Sequence, residues 1–285
     1  MTTANVKVPA HRNPAAGAAP TSAPGPKTGL MDDPRHRAMV VRITRVAFVL
    51  LVLVAWQLAS GWLVDDFLIS NPIAVAQRLA NSITDSTMHE NIITTGTELI
   101  YGWTIGATAG ALIGWFIGSV KFFGEVLEPI IIAVNGIPKV VLAPLFLLWF
   151  GLGIGSKVAI AAMIVFFLVF NNVYQGMRNV PQPLVDVAKV MGASRLYIVR
   201  RVVLPSVSVP LFAALRIGVS MAMIGVIAGE FVSADKGLGY YAMASTQKFD
   251  SAGLFAAIVI IVAMVVALSS IVGIFQRRAL AWQQN

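Results

Sequence analysis

The sequence predicts an all-α fold, a polytopic bundle of about six membrane-spanning helices. Of its 285 residues, 57% are hydrophobic and 12% are charged, about half the charged fraction of an ordinary soluble domain. Most of the charges lie in the first 45 residues and in short segments between long apolar runs. A bilayer core of about 30 Å requires about 20 largely apolar residues per helix, and the apolar runs reach or approach that length.

Residues 1–42 precede the first apolar run and are rich in alanine, proline and threonine. A segment of this composition cannot bury enough apolar surface to offset the entropy of ordering, so we predict a disordered N-terminal tail. The membrane domain is predicted to cover residues 43–285. Its first run is long enough to span, which favours a retained anchor over a cleaved signal peptide.

The predicted spans, in order, are residues 43–64, 97–120, 126–150, 157–174, 207–231 and 254–275. Pro138 and Pro144 interrupt the third. Inside lipid every backbone polar group must be satisfied within the segment, so helices are expected. The runs are also too long for the strands of a membrane barrel, which need about 9–11 alternating residues.

The second span carries a glycine at every fourth position, which places them in one row along the helix. The row consists of Gly102, Gly106, Gly110, Gly114 and Gly118. Small residues allow helix backbones to approach closely in lipid, where no hydrophobic force joins helices. The row predicts a tight helix crossing, either in a transport core or as ordinary membrane-helix packing.

The distribution of lysine and arginine predicts the orientation, because cytosolic segments are enriched in these residues. With a cytosolic N-terminus, fifteen of them fall in inner segments: Lys7, Arg12, Lys27, Arg35, Arg37, Arg42, Arg45, Lys121, Arg178, Lys189, Arg195, Arg200, Arg201, Arg277 and Arg278. Four fall in outer segments: Arg78, Lys157, Lys236 and Lys248. Both termini are therefore predicted to be cytosolic.

The longest inner loop, residues 175–206, has the pattern of two short helices meeting at an angle; we call it the elbow. An apolar stripe at helical spacing consists of Leu184, Val187, Ala188 and Met191. Asp186 lies in the first turn, where it complements the helix dipole. Gly192 is placed to end this helix, and Ser194 to cap the next. An apolar face flanked by cations predicts a docking surface for a protein or for lipid headgroups.

The elbow resembles the cytosolic loop of permeases from binding-protein-dependent ABC importers. That loop has the form E-A-A, three residues, Gly, nine residues, then I-x-L-P. Here Asp186, Val187 and Ala188 precede Gly192 at the same spacing, and V-V-L-P ends with Leu204 and Pro205. Ala193 and Ser194 complete the turn. The sequence differs from this form at three positions, where Asp186 replaces Glu, Val187 replaces Ala and Val202 replaces Ile.

Two further segments extend the resemblance over most of the chain from about residue 60. Residues 137–157, IPKVVLAPLFLLWFGLGIGSK, and residues 229–240, GEFVSADKGLGY, look like the branch that imports nitrate, sulfonates, taurine and vitamin precursors. The resemblance implies a type I importer permease with a MetI-like fold. It also implies two permease subunits, two cytosolic ATPase subunits that grip the elbow, and an external solute-binding protein. ATP would be bound by the ATPase, and the permease needs no cofactor of its own.

Three ionisable residues fall inside predicted spans, where they are costly and mark functional candidates. Lys139 follows Pro138 and is predicted either to hold the anionic group of a substrate or to bind carbonyls freed by the prolines. Arg216 is predicted to lie on the substrate pathway, to pair with a carboxylate or to snorkel to the interface. Glu230 is placed near the outer end, where it could pair with a cation or reach water.

Other functions lack their signatures in this sequence. The chain has no Walker A motif, no cysteine and only three scattered histidines, so we expect no catalytic or metal site. Its basic residues form no aromatic-interleaved face for nucleic acid. The alternative to an importer subunit is a secondary transporter or channel driven by an ion gradient, which would be expected to show inverted repeats and mid-membrane carboxylates. Neither is clear in the sequence.

Overall fold

The computed structural model describes residues 34–62 and 65–281, and the regular structure in these ranges is helical. The helices are α1 (Pro34–Ala59), α2 (Asp66–Ile69), α3 (Pro72–Ser82), α4 (Ser86–Ser119), α5 (Lys121–Asn135), α6 (Ala143–Phe150), α7 (Ile154–Arg178), α8 (Gln182–Val190), α9 (Arg195–Ile198), α10 (Leu204–Ser233), α11 (Leu238–Gln247) and α12 (Ser251–Ala279). A 3-10 turn covers Lys139–Leu142 and a π turn covers Val199–Val203. The all-α prediction is confirmed.

The chain divides into two compact units, Met1–Val54 and Ala55–Asn285. In the first unit the described residues belong to α1, which begins at Pro34 and not at Ile43 as the apolar run suggested. Residues 34–42 are therefore helical, which corrects the predicted boundary of the tail; residues 1–33 lie outside the described residues. Proline is well suited to the first turn of a helix, and neither Gly nor Pro follows it before the apolar run.

Five described helical segments are long and apolar enough to cross a membrane, and a bent pair of segments supplies a sixth. The five are Arg37–Ala59, Ser86–Ser119, Ile154–Arg178, Arg195–Ser233 and Ser251–Ala279. The sixth consists of Phe122–Asn135 and Lys139–Phe150, with an angle of 81° between them. Pro138 lies at the break, where its missing N–H and fixed φ prevent a continuous helix.

The core of the second unit consists of α4, α7 and α10, which pack closely; α4 and α7 run parallel, and α10 runs antiparallel to α7. Val165, Val169, Ala214, Ala222 and Val226 are fully buried there. The glycine row of α4 lies directly on the backbone of α7. A Cβ added at Gly110 would lie 2.6 Å from the Phe166 carbonyl oxygen, and one at Gly114 would lie 2.8 Å from that of Phe170. Only glycine permits this approach.

Helix α4 begins eleven residues before the predicted start of the second span at Thr97. Asp85 caps it, because the Asp85 carboxylate accepts a hydrogen bond of 2.9 Å from the Thr87 N–H. The early start adds a polar stretch to the helix. As a result Asn91 and Thr95 are buried between helices, together with Glu98 from the predicted span.

Two ends of the core helices can be distinguished by their neighbours. The C-terminal ends of α4 and α7 and the beginning of α10 lie at the elbow end. The opposite, far end contains the starts of α4, α7 and α12 and the turn between α10 and α11. At the far end Asp250 caps α12 and forms an ion pair with Arg78 of α3.

Candidate functional site

The first arm of the elbow is α8, which ends where the sequence predicts. Pro183 lies in its first turn, and the Ala193 N–H donates to the Ala188 carbonyl at 3.0 Å after the last turn. Gly192 has φ +78°, a backbone conformation that L residues with a side chain rarely adopt. A Cβ added there would contact nothing within 4 Å, so backbone conformation and not crowding accounts for glycine.

The second arm of the elbow continues without a break into the membrane core. Ser194 caps α9 by accepting a hydrogen bond of 3.2 Å from the Tyr197 N–H. A π turn at Val199–Val203 then joins α9 to α10, and Pro205 lies in the first turn of α10. Proline has no N–H for the regular ladder, and a local π turn is one way to accommodate it. The continuous helical path runs over Arg195–Ser233.

The two arms enclose an apolar groove of about 520 Å³. It is lined by Leu184, Val187, Ala188, Met191, Gly192, Ala193, Ser194 and Tyr197. Val187 is 59% exposed and Met191 is 82% exposed. Asp186 points its carboxylate to Lys189 at 3.6 Å on the rim and does not line the groove. An open apolar surface of this kind is typical of a binding site for a partner.

A buried polar network occupies the far end, and sequence reasoning identified only part of it. Glu230 of α10 is 2% exposed, which corrects the expectation that it could reach water. Its carboxylate accepts 2.6 Å from the Thr95 hydroxyl and 2.5 Å from the Gly239 N–H. Thr95 also accepts from the Leu238 N–H at 2.8 Å. The network therefore binds the start of α11 to α4 and α10.

Lys157 is the cation of this network. It was expected in an outer segment, but the structure buries it in the first turn of α7 with 2% exposure. Its ammonium group donates to the carbonyl oxygens of Leu152, Gly153 and Ser233, the last at 2.5 Å. Glu98 and Glu230 are among its charged neighbours.

Glu98 of α4 completes the network and was not singled out from the sequence. It is 2% exposed, lies beside Glu230 and Lys157, and one of its carboxyl oxygens, Oε2, is buried without a hydrogen-bond partner among the described residues. A lone glutamate in an otherwise uncharged helical run was a signal available in the sequence. Its partners, however, lie about 60 and 130 residues away and depend on helix register.

The other two predicted pathway residues lie apart from this network. The Lys139 Nζ donates to the Asn135 carbonyl at 3.0 Å and lies 5.1 Å from the centre of the Phe167 ring. This arrangement agrees with the alternative in which Lys139 binds carbonyls freed at the proline break. Arg216 is exposed on α10 and has no ion pair or hydrogen bond among the described residues, which corrects the expected pairing with a carboxylate.

An exposed ion pair lies near the network at the far end. Lys236, in the turn between α10 and α11, donates to the Glu90 carboxylate at 2.5 Å. This hydrogen bond raises the pKa of the Lys236 ammonium. Exposed pairs of this kind contribute little to stability.

The fold and the elbow define a membrane permease component, and comparison with known proteins identifies the family. Residues 106–280 match the binding-protein-dependent transport system inner membrane component family, and the chain belongs to it. It is similar to the riboflavin transport system permease protein RibX of Chloroflexus aurantiacus, with 29% identity over 83% of this chain and 88% of that protein. The formylaminopyrimidine transport permease protein ThiX of Halalkalibacterium halodurans is 30% identical over 75% of this chain and 85% of that protein.

The fold is also similar to that of a chain of the MetNI methionine ABC transporter, solved in inward-facing conformations. The TM-score is 0.50 with 20% identity, and the similarity covers 68% of this chain and 93% of that chain. The predicted MetI-like permease fold is thus confirmed.

Proposed function

We propose that this chain is the membrane-spanning permease subunit of an ATP-binding-cassette importer and that its elbow transmits the movement of a separate ATPase. The observation that carries the proposal is the exposed apolar groove of the elbow, whose second arm is continuous with α10. A partner that grips the groove can therefore move a core helix directly, without a flexible linker between them.

Rigid packing carries this movement through the membrane. Gly102, Gly106, Gly110 and Gly114 hold α4 against the backbone of α7. Helix α10 also approaches α7 closely, because a Cβ added at Gly225 would lie 2.9 Å from the Ala161 Cα. Closely packed helices move as rigid bodies between discrete arrangements. In this mechanism the chain forms the path, and ATP hydrolysis takes place on the partner.

The proposed assembly contains two permease copies, a cytosolic ATPase dimer and an external solute-binding protein. One elbow for each ATPase subunit favours a pair of permeases, and a homodimer is the simplest arrangement. The bias of lysine and arginine, fifteen against four, supports an elbow and both termini in the cytosol of a bacterial inner membrane. Lipid surrounds the spans. The chain itself binds no cofactor in this scheme.

The proposed substrate is a small solute, either a nitrate-, sulfonate- or taurine-like anion or a vitamin precursor. The names of the relatives, which refer to riboflavin and formylaminopyrimidine, support the second class. Arg216 supports an anion, because its guanidinium is exposed within a span and has no partner among the described residues, which makes it available to a ligand. The two classes are distinguished by measuring the uptake of radiolabelled riboflavin, formylaminopyrimidine and taurine. Each solute is tested with the wild type and with Arg216→Gln.

The coupling proposal is tested by placing a charge in the groove. Val187→Asp puts a carboxylate in the apolar contact and is expected to reduce ATP-dependent uptake at least about tenfold, since central interface residues commonly contribute 2 kcal/mol or more. Val190→Asp is the matched control, because Val190 lies on the same helix and is 88% exposed, yet does not line the groove. Normal uptake by Val187→Asp would contradict the proposal.

A further inference from the structure

The buried network at the far end contains two carboxyl groups but only one cation. Its ionisable members are Glu98, Glu230 and Lys157, each 2% exposed. They come from α4, α10 and α7, and α11 contributes backbone N–H groups. Asp235, the other acid near Lys157, is exposed to solvent. Burying a charge is costly unless the charge is paired, so the charge state of each member can be assigned from its contacts.

Lys157 is assigned as a cation. Three carbonyl oxygens receive hydrogen bonds from its Nζ, and only an ammonium group has three donors; a neutral amine has two. Its position in the first turn of α7 is unfavourable for a cation because the helix dipole is positive there. The ammonium group therefore needs a nearby anion.

Glu230 is assigned as the ionised carboxyl group of the network. Its two oxygens accept separate hydrogen bonds, from the Thr95 hydroxyl and from the Gly239 N–H, and a carboxyl group that only accepts is ionised. The Gly239 N–H belongs to the first turn of α11, a ten-residue helix. A negative charge at a helix N-terminus is favoured by the dipole.

Glu98 is then the second carboxyl group beside a single cation. The Glu98 Oε2 atom is buried and has no hydrogen-bond donor among the described residues, and its acidic neighbour Glu230 is already ionised. As a carboxylate, Glu98 would be a second buried anion beside the first with an unsatisfied oxygen, an arrangement that is strongly unfavourable. As a carboxylic acid it is neutral and gains a donor directed at a neighbouring carboxylate.

We propose that Glu98 and Glu230 form a proton-binding site at the far end of the bundle, in which Glu98 carries the proton and Glu230 the negative charge. The bound proton makes the network neutral overall. It allows Glu230 to hold the start of α11 as a carboxylate, with the single cation Lys157 in the same network. This site is separate from the elbow and does not depend on the proposed coupling function.

Infrared spectroscopy of the full chain in lipid nanodiscs tests the assignment. Wild type is expected to show the carbonyl stretching band of a protonated carboxyl group, and the band shifts when glutamate is labelled with carbon-13. Glu98→Gln removes the band. Glu90→Gln, a change on the same helix at an exposed residue, leaves it in place. No glutamate band in wild type, or a band that survives Glu98→Gln, overturns the proposal.

Thermal unfolding of the same samples supplies a second readout. Glutamine imitates a neutral carboxylic acid, so Glu98→Gln is expected to leave Tm within about 2 °C of wild type. Glu230→Gln removes the negative charge of the network and places an amide NH2 opposite the Thr95 hydroxyl or the Gly239 N–H, both of which are donors. It is expected to lower Tm by at least about 4 °C. Equal losses in the two variants overturn the proposal. If Glu98→Gln fails to fold, Glu98→Asp takes its place, because the aspartate keeps a carboxyl group but carries no glutamate label. Loss of the labelled band in that variant supports the proposal, and a labelled band that persists overturns it.

Discussion

At the scale of single residues, Lys157 and Lys236 show how burial changes the role of one residue type. Both are lysines near the far end, and both have carboxylate neighbours. Lys157 is enclosed by three carbonyl oxygens and buried carboxyl groups, whereas Lys236 faces solvent opposite Glu90. Removing one member of a buried charged network leaves uncompensated polar groups, while removing an exposed partner leaves groups that water can satisfy.

Lys157→Met is therefore expected to destabilise the protein by about 3–5 kcal/mol. Lys236→Met, the control, is expected to change stability little. The measurement is thermal or denaturant unfolding of both purified variants in the same detergent. Similar stabilities for the two variants would show that the buried network does not stabilise the fold as described.

Gly192 gives a second prediction at this scale. Its φ of +78° and the open space around it indicate that backbone strain, and not crowding, limits substitution. Gly192→Val is expected to strain the turn by roughly 1–2 kcal/mol and to uncouple ATP hydrolysis from uptake. Gly192→Asn is the control, because asparagine tolerates positive φ, and it should retain most of the uptake per ATP. Equal coupling in Val and Asn variants would contradict this account.

At the scale of elements, the path between the elbow and the core depends on how closely α4 and α7 pack. The repeating glycines of α4 predicted a close crossing, and their Cα atoms lie against the α7 backbone. The element boundaries of the elbow were also predictable, because proline, glycine and a serine cap act locally at fixed offsets. Glu98 and Lys157 were not identified as partners of Glu230, because their proximity depends on the register of three helices distant in sequence.

The α4–α7 contact is tested by adding one methyl group. Gly110→Ala would place its Cβ 2.6 Å from the Phe166 carbonyl oxygen and 3.0 Å from the Phe170 nitrogen, so the helices must separate. The expected cost is about 1–3 kcal/mol. In the control Gly96→Ala, the added Cβ meets only the flexible end of Met264 at 3.3 Å, and no comparable loss of Tm is expected. Matching losses of Tm would contradict tight packing at Gly110.

At the scale of the whole molecule, the proposal requires the elbow and the α10–α11 turn to face opposite sides of the membrane. The two ends of α10 are separated by 30 helical residues, or about 45 Å at 1.5 Å per residue, which exceeds the hydrocarbon core. The sequence contains no cysteine, so a single introduced thiol reports its own position. Ser194 and Lys236 are suitable reporter sites.

In intact spheroplasts, Lys236→Cys is expected to react with a membrane-impermeant thiol reagent, and Ser194→Cys to react only after permeabilisation. The physical reason is that the reagent cannot cross the bilayer to the elbow. The measurement is the labelled fraction of each variant before and after permeabilisation. The reverse pattern would contradict the predicted orientation, and equal labelling of both sites in intact cells would contradict the span between them.

We infer that the elbow groove holds an ATPase subunit. The decisive experiment is to cross-link Val187→Cys in membranes and to identify the attached protein by mass spectrometry. We expect the attached protein to contain a Walker A motif, the yield of cross-linking to change when ATP is added, and the yield from Val190→Cys to be much lower. Uptake that proceeds on a proton gradient without ATP, with no ATPase attached at Val187→Cys, would contradict it.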